Sequence, residues 1–439
     1  MSLQPIDPSR DFTTTIDTLG TCTVNSPVRY KNFVSDDDRV LYDLNMERVR
    51  KRLEQNRAIS FEYAGPRERI YFDPANLRAA IVTCGGLCPG LNDVIRSIVH
   101  ELWYMYGLRR IRGIRFGYAG LNPDVGLPML DLNPDMVREI HYDGGTMLGS
   151  SRGPQPVDVM VDTLEREEIR LLFAVGGDGT LRGLKAIYEE IERRGLKTAV
   201  IGIPKTIDND IAFVSRTFGF ETAVGEAVES LRCAHVEARG APRGVGIVKL
   251  MGRHSGFIAT HAALAQGDAN FVLIPEVPFD LEGPQGFLAA LEARMALRGH
   301  ALVVVAEGAG QKLFEDLGED KSGNRKLGDI GLLLKKRVVA HFKAIGKPAA
   351  VKYIDPSYII RSVPANPNDC IFCKFLGQHA VHAGMAGKTG MVISSWNNLH
   401  VHVPIEMATM HRKQIQPDGI LWLSVLESTG QPQYLVNAT

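Results

Sequence analysis

The stretch from Leu171 to Asp210, LLFAVGGDGTLRGLKAIYEEIERRGLKTAVIGIPKTIDND, leaves few architectures open to this chain. A short apolar run, Leu171 to Val175, meets a glycine turn and an amphipathic helix. A second apolar run, Thr198 to Ile203, ends in a loop carrying Asp208 and Asp210. That is a strand–helix–strand unit of a parallel sheet, with a polar loop at the carboxyl end of each strand.

In the turn Gly176-Gly177-Asp178-Gly179-Thr180, bare backbone at a helix start can come close to an anion and aim N–H groups and the helix dipole at it. Phosphate is the natural guest. Asp178 is the one anion in the turn, and a carboxylate beside phosphate oxygens calls for a divalent cation such as Mg²⁺ between them. In the second loop, Asp208 and Asp210 share a side if the backbone is extended, and their repulsion would raise one pKa. A carboxylate so placed takes a proton from an attacking hydroxyl. Lys205 adds a mobile positive charge for a phosphoryl group.

Length and charge narrow the classes further. A chain of 439 residues is expected to form two domains or more. Its 50 basic and 50 acidic side chains balance, which argues against a general nucleic-acid or anionic-membrane binder. No apolar run is long enough to cross a bilayer, and MSLQPIDPSRDFTTT lacks a signal pattern, so a cytosolic location is expected. Six cysteines are too few for a disulfide framework and read as free thiols.

Residues 1 to about 77 carry little periodicity before the helix-like LYDLNMERVRKRLEQ, and read as an extension that wraps the core or meets a neighbouring subunit. From Leu77 the strand-to-turn theme repeats. LRAAIVTCGGLCPGLNDVIRSIVHELW gives a strand, a Gly-Gly turn and a helix opened near Asn92 and Asp93. GGTMLGSSRG follows, where small residues let Arg152 reach inward with a planar fork suited to phosphate oxygens. GVGIVKLMGRHSG and HALVVVAEGAG set Arg253 and Glu307 at further strand ends. ANFVLIPEVPF reads as another buried strand, GEDKSGNRKLGD as a surface loop, and ILWLSVLESTG as a helix or strand. In CIFCKFLGQHAVHAGMAG the four Cys and His side chains spread around a helix and do not converge on one ion.

GGDGT followed by PKTIDND closely resembles the 6-phosphofructokinases, and the GG-x-x-PG-x-N, GGT-x-LG-S-x-R, MGR, A-EG and SYIIR segments fit the same family over about residues 77 to 415. The long enzymes of plants and trypanosomes resemble this pattern. The resemblance implies two doubly wound three-layer α/β domains with the active site in the cleft, plus the N-terminal extension. It implies a donor domain of 78–218 with 362–415 and a sugar-phosphate domain of 219–361 with 416–439. On the donor side it points to Gly86, Arg152, Gly153, Gly177, Asp178, Gly179 and Thr180 for ATP, with Asp178 holding Mg²⁺. On the acceptor side it points to Thr206, Ile207, Asp208, Met251, Gly252, Arg253, Glu307, Tyr358 and Arg361 for fructose 6-phosphate. Asp208 is the implied base, Asp210 is a second candidate ligand of the Mg²⁺ beside Asp178, and Arg253, Lys205 and Thr206 offset charge on the moving group. A homotetramer or homodimer is implied as well.

The resemblance also frames the donor. Pyrophosphate enzymes of the family carry an aspartate at the position of Gly179, which blocks the nucleotide α-phosphate, together with a lysine at the position of Lys205. This chain combines Gly179 with Lys205. Exclusion by an aspartate is hard to overcome and a surplus lysine near phosphates is tolerable, so ATP is the expected donor and pyrophosphate the alternative. A non-catalytic sugar-phosphate sensor on the same fold would lack one of Asp178, Asp208 and Asp210, and all three are present. NAD and diacylglycerol kinases share GGDGT but lack the later segments, and no GxGxxG follows a strand as a dinucleotide oxidoreductase requires.

Overall fold

The computed structural model describes residues 13–29, 32–55, 57–318 and 325–438. The predicted surface loop at 318–329 thus lies partly outside the described residues, as does Tyr30 of the extension. The chain divides into two units: the first takes the described residues up to Gly219 and again Ser362–Arg412, and the second takes Phe220–Arg361 with Lys413–Thr439.

The first unit is built on a nine-stranded sheet. Its middle is five parallel strands in the spatial order Arg110–Ile114, Arg78–Thr83, Leu171–Gly176, Ala199–Pro204 and Met391–Trp396. Leu171–Gly176 and Ala199–Pro204 are buried along their whole length, as strands covered on both faces must be. Helix Leu91–His100 packs on Pro367–Met385, and Val157–Arg166 packs on Asp178–Arg193, giving the helical layers of a doubly wound α/β fold. In chain order the parallel strands run second, first, third, fourth, fifth. The order therefore reverses between Arg78–Thr83 and Leu171–Gly176, the place where such sheets open a crevice for ligands.

Two strands of the segment before Leu77 join this sheet. Strands Arg39–Leu41 and Ser60–Tyr63 continue it beyond the hairpin Met391–Trp396 and Leu399–Pro404, all in antiparallel pairing. Tyr42 stacks on Trp396 with centroids 4.8 Å apart, and Phe61 meets both Trp396 and Phe213 edge-on. Aromatic residues scattered in sequence close this edge by packing, which a search for periodicity does not register.

The second unit has a four-stranded, wholly parallel sheet in the order Phe271–Leu273, His300–Ala306, Gly244–Leu250, Ala350–Ile354. Its core joins Phe271, Phe287, Val303, Val305, Leu334 and Phe342. Of the predicted ANFVLIPEVPF strand, Phe271–Leu273 joins the sheet, and Pro275 and Pro278 supply no N–H to extend the ladder. The C-terminal ILWLSVLEST is a helix, Ile420–Thr429, and it buries Trp422. No helix among the described residues is long and apolar enough to cross a membrane.

Candidate active site

At the reversal point two strand ends stand side by side, Thr83 in register with Val175. The turn Gly85-Gly86 is laced to the loop at 144–153: Ser150 Oγ donates to the Gly85 carbonyl at 2.6 Å, and Gly85 N–H donates to the Ser151 carbonyl at 3.1 Å. Asn92 fastens the same loop by accepting the Met147 N–H at 2.8 Å. This lacing holds Arg152, an exposed side chain, and Gly153, at φ 101, beside the Gly-Gly turn.

In the second glycine turn the three glycines differ in what surrounds them. A Cβ on Gly176 would come within 2.1 Å of Thr180 Oγ1, so the strand can end there only as glycine. Thr180 itself is buried beneath that turn, its carbonyl accepting the Tyr118 hydroxyl at 2.8 Å. A Cβ on Gly177 would meet the Lys205 carbonyl at 3.2 Å. A Cβ on Gly179 would meet nothing within 4 Å. Gly179 is therefore the open side of the turn, where a larger group can approach.

The PKTIDND loop is not extended. Residues 207 and 208 form a turn and Asn209 takes φ 53, so the two aspartates are set by a tight loop and not by strand alternation. Asn209 is 1% exposed and pins the loop by accepting the Thr217 N–H at 3.1 Å. Thr206 Oγ1 accepts the Asp208 N–H at 3.1 Å, and Ile207 is buried. Asp208 is half-buried. Asp210 pairs with Arg412 at 3.1 Å. Lys205 is not the mobile charge expected: it is 5% exposed, and its ammonium donates to the Gly86 carbonyl at 2.6 Å.

Within the second unit the same logic recurs. Leu250 and Ala306 end neighbouring parallel strands in register, and Gly308 N–H donates to the Gly252 carbonyl at 3.1 Å. A Cβ on Gly308 would lie 2.0 Å from the Arg253 carbonyl, so the turns Met251-Gly252-Arg253 and Glu307-Gly308 touch through bare backbone. Burial raises the Glu307 pKa, and the nearby cations Arg253, Lys249 and Arg361 pull against it. Arg361 lies over the ring of Tyr358 at 5.0 Å, and Tyr358 is exposed. Lys352, upstream of both, pairs with Glu237 at 3.5 Å.

Sequence reasoning missed two cations. Lys249, one strand residue before Leu250, sits between Asp355 at 2.8 Å and Asp329 at 3.0 Å, and these contacts drive its pKa upward against burial. The lysine inside an apolar run was its only signal. Arg412 touches Asp178 at 2.9 Å and Asp210 at 3.1 Å, although 234 and 202 residues separate it from them in the chain. No local pattern marks it.

The donor set fits a hard divalent cation. Asp178 and Asp210 offer carboxylate oxygens near enough for the one Arg412 guanidinium to bridge them. Among the described residues no group of three or more His, Cys, Asp or Glu side chains could hold a metal, so further ligands would come from the donor phosphates and water.

The sequence model of the phosphofructokinase family matches residues 78–384. An ATP-dependent 6-phosphofructokinase of Borreliella burgdorferi is 51% identical over 438 residues, covering 96% of this chain and 97% of that protein. An ATP-dependent 6-phosphofructokinase of Trypanosoma brucei brucei is 49% identical, covering 84% of this chain and 76% of that one. Among solved structures, a pyrophosphate-dependent phosphofructokinase of Marinobacter aquaeolei superposes with a TM-score of 0.67 over 80% of this chain and 91% of that chain. At 20% identity this likeness speaks for the fold alone.

Proposed function

The chain belongs to the phosphofructokinase family, and from that premise we propose how its residues carry out the transfer. It is an ATP-dependent 6-phosphofructokinase, a glycolytic kinase that moves the γ-phosphoryl of ATP to the 1-hydroxyl of fructose 6-phosphate. The open side of Gly179 carries the residue-level argument for ATP, since the nucleotide needs room where a pyrophosphate enzyme keeps an aspartate.

ATP belongs to the first unit, at Gly86, Arg152, Gly153 and the turn Gly177 to Thr180. The buried Thr180 serves by shaping that turn. Asp178 would hold Mg²⁺, with Asp210 beside it. When bound, the ion would neutralise charge on the donor phosphate oxygens. Asp208 accepts the proton of the 1-hydroxyl as it attacks in line. Lys205 and Thr206 steady the Gly86 turn and the Asp208 loop, and Lys205 adds a fixed positive field toward the moving group.

Fructose 6-phosphate belongs to the second unit. Glu307 accepts a sugar hydroxyl, the backbone of Met251 and Gly252 lets the sugar approach closely, and Arg253 offsets transferred charge. Arg361 with Tyr358 takes the 6-phosphate, a group that a guanidinium matches in geometry. A cytoplasmic homo-oligomer of two or four copies completes the reading.

Initial rates with fructose 6-phosphate and Mg²⁺, comparing ATP and pyrophosphate in parallel, test the proposal. Rate with ATP alone is the expected result. Rate with pyrophosphate alone would overturn the reading of Gly179, and no rate with either would favour a sensor.

A further inference from the structure

Both oxygens of Asp178 are already engaged. Arg182 Nε reaches Oδ1 at 3.1 Å, and Arg412 Nη2 reaches Oδ2 at 2.9 Å. The other end of the Arg412 fork, Nη1, reaches Asp210 Oδ2 at 3.1 Å. Arg182 is exposed and follows Asp178 by one helical turn, an arrangement worth little in water. Arg412 differs. Its side chain is 32% exposed, and the carboxylates it bridges are 16% and 6% exposed. Its backbone is stitched to the same loop by an antiparallel bridge with Ile211. The fork is thus aimed at the pair by its own main chain, and not merely by the reach of a long side chain.

We propose that Arg412 is an internal counter-cation that competes with the divalent metal for the Asp178–Asp210 pair. A free metal ion must displace charge-assisted hydrogen bonds that the protein already holds, and it gains only carboxylate oxygens in return. A metal that arrives on a nucleotide brings anionic oxygens of its own, and these can receive the freed guanidinium. The site therefore favours the metal–nucleotide complex over the bare ion. The inference rests on the reading of Asp178 as the metal ligand.

Mn²⁺ alone is the probe, its binding to the purified full-length protein followed by electron paramagnetic resonance without any turnover. Arg412→Met is expected to tighten Mn²⁺ binding by about tenfold or more, the worth of one or two charge-assisted hydrogen bonds. Arg412→Lys, which keeps the charge without the fork, should fall between, and it stands in if the methionine variant does not fold. Adding Asp178→Asn to the Arg412→Met background should abolish the gain. Equal Mn²⁺ affinity in wild type and both Arg412 variants would overturn the competition. The underlying reading fails separately. If Asp178→Asn leaves Mn²⁺ affinity unchanged with a non-hydrolysable ATP analogue present, Asp178 is not the ligand. If it weakens that affinity while the Arg412 variants change nothing, only the competition is lost.

Discussion

The ammonium of Lys205 donates to the carbonyl of Gly86 at 2.6 Å, joining residues 119 positions apart. One strand end thereby braces the turn of another across the strand Leu171–Gly176 that separates them in the sheet. A buried cation held by a backbone carbonyl serves as a strut first and as a source of positive field second. Lys205→Met should therefore raise KM for ATP and also lower kcat, by about tenfold or more overall, the worth of one charged hydrogen bond. Steady-state kinetics with ATP varied at saturating sugar phosphate check this. A change in kcat alone would leave only the field.

Asp208→Asn keeps the shape of the loop, because the Thr206 and Asn209 hydrogen bonds that form it use neither carboxylate oxygen of Asp208. Substrate binding should survive while kcat falls by roughly 10²- to 10⁴-fold, the usual worth of a positioned base. Turnover within about threefold of wild type would remove Asp208 from that role.

Gly179→Asp is expected to fold normally, since the added Cβ meets nothing within 4 Å and an acidic residue suits the first turn of the helix Asp178–Arg193. The carboxylate would face the donor's phosphates, and such like-charge contact costs enough to cut kcat/KM for ATP by about 100-fold or more. Pyrophosphate should lose far less. Rates with both donors, beside an unchanged melting temperature, decide the matter.

Lys249→Met leaves Asp329 and Asp355 without their shared cation. Asp355 shapes the turn before Tyr358 and Arg361 by accepting the Ser357 N–H at 3.2 Å, and Asp329 caps the helix Ile330–Ala344. The carboxylates of Asp329 and Asp355 are each about a third exposed, so water screens part of the loss, and the second unit should be destabilised by about 1–3 kcal/mol. In the protein that remains folded, KM for fructose 6-phosphate should rise while KM for ATP holds. Denaturant unfolding and a comparison of the two KM values measure the two effects.

Acid should weaken the first unit through its buried histidines. Burial holds His400 down to about 4 and His382 to about 3, and drives His379 well below its ordinary range. Arg67 and Arg216 nearby lower them further, and Glu62 pulls His402 the other way without overcoming its burial. The unfolded chain takes up these protons first, near pH 6.5, so stability is full above that pH and is lost as pH falls from 6.5 toward 4. The slope is about 1.4 kcal/mol per pH unit for each histidine involved. Urea midpoints at a series of pH values should show it, and His400→Gln should flatten the curve.

Much of the fold was legible in the residues. The run Leu171 to Val175, its glycine turn and the run to Ile203 demanded neighbouring parallel strands, because apolar period and turn chemistry are local properties. For the same reason the positions of Gly86, Asp208, Arg253 and Glu307 just beyond strand ends could be read from the residues. The outer edge at Arg39–Leu41 and Ser60–Tyr63 was not legible, since its stability comes from Tyr42, Phe61, Phe213 and Trp396 meeting from distant segments.

The sequence by itself determined which chemical groups stand at the ends of which strands. Only the tertiary structure decided how their charges are balanced. Lys205 was expected to swing and is pinned to Gly86, and Asp210 finds its counter-charge in Arg412, which no motif around it announced. The reason is physical: secondary structure follows from interactions a few residues long, whereas the partner of a buried charge is whatever the packed chain brings within about 3 Å of it, at any separation in sequence.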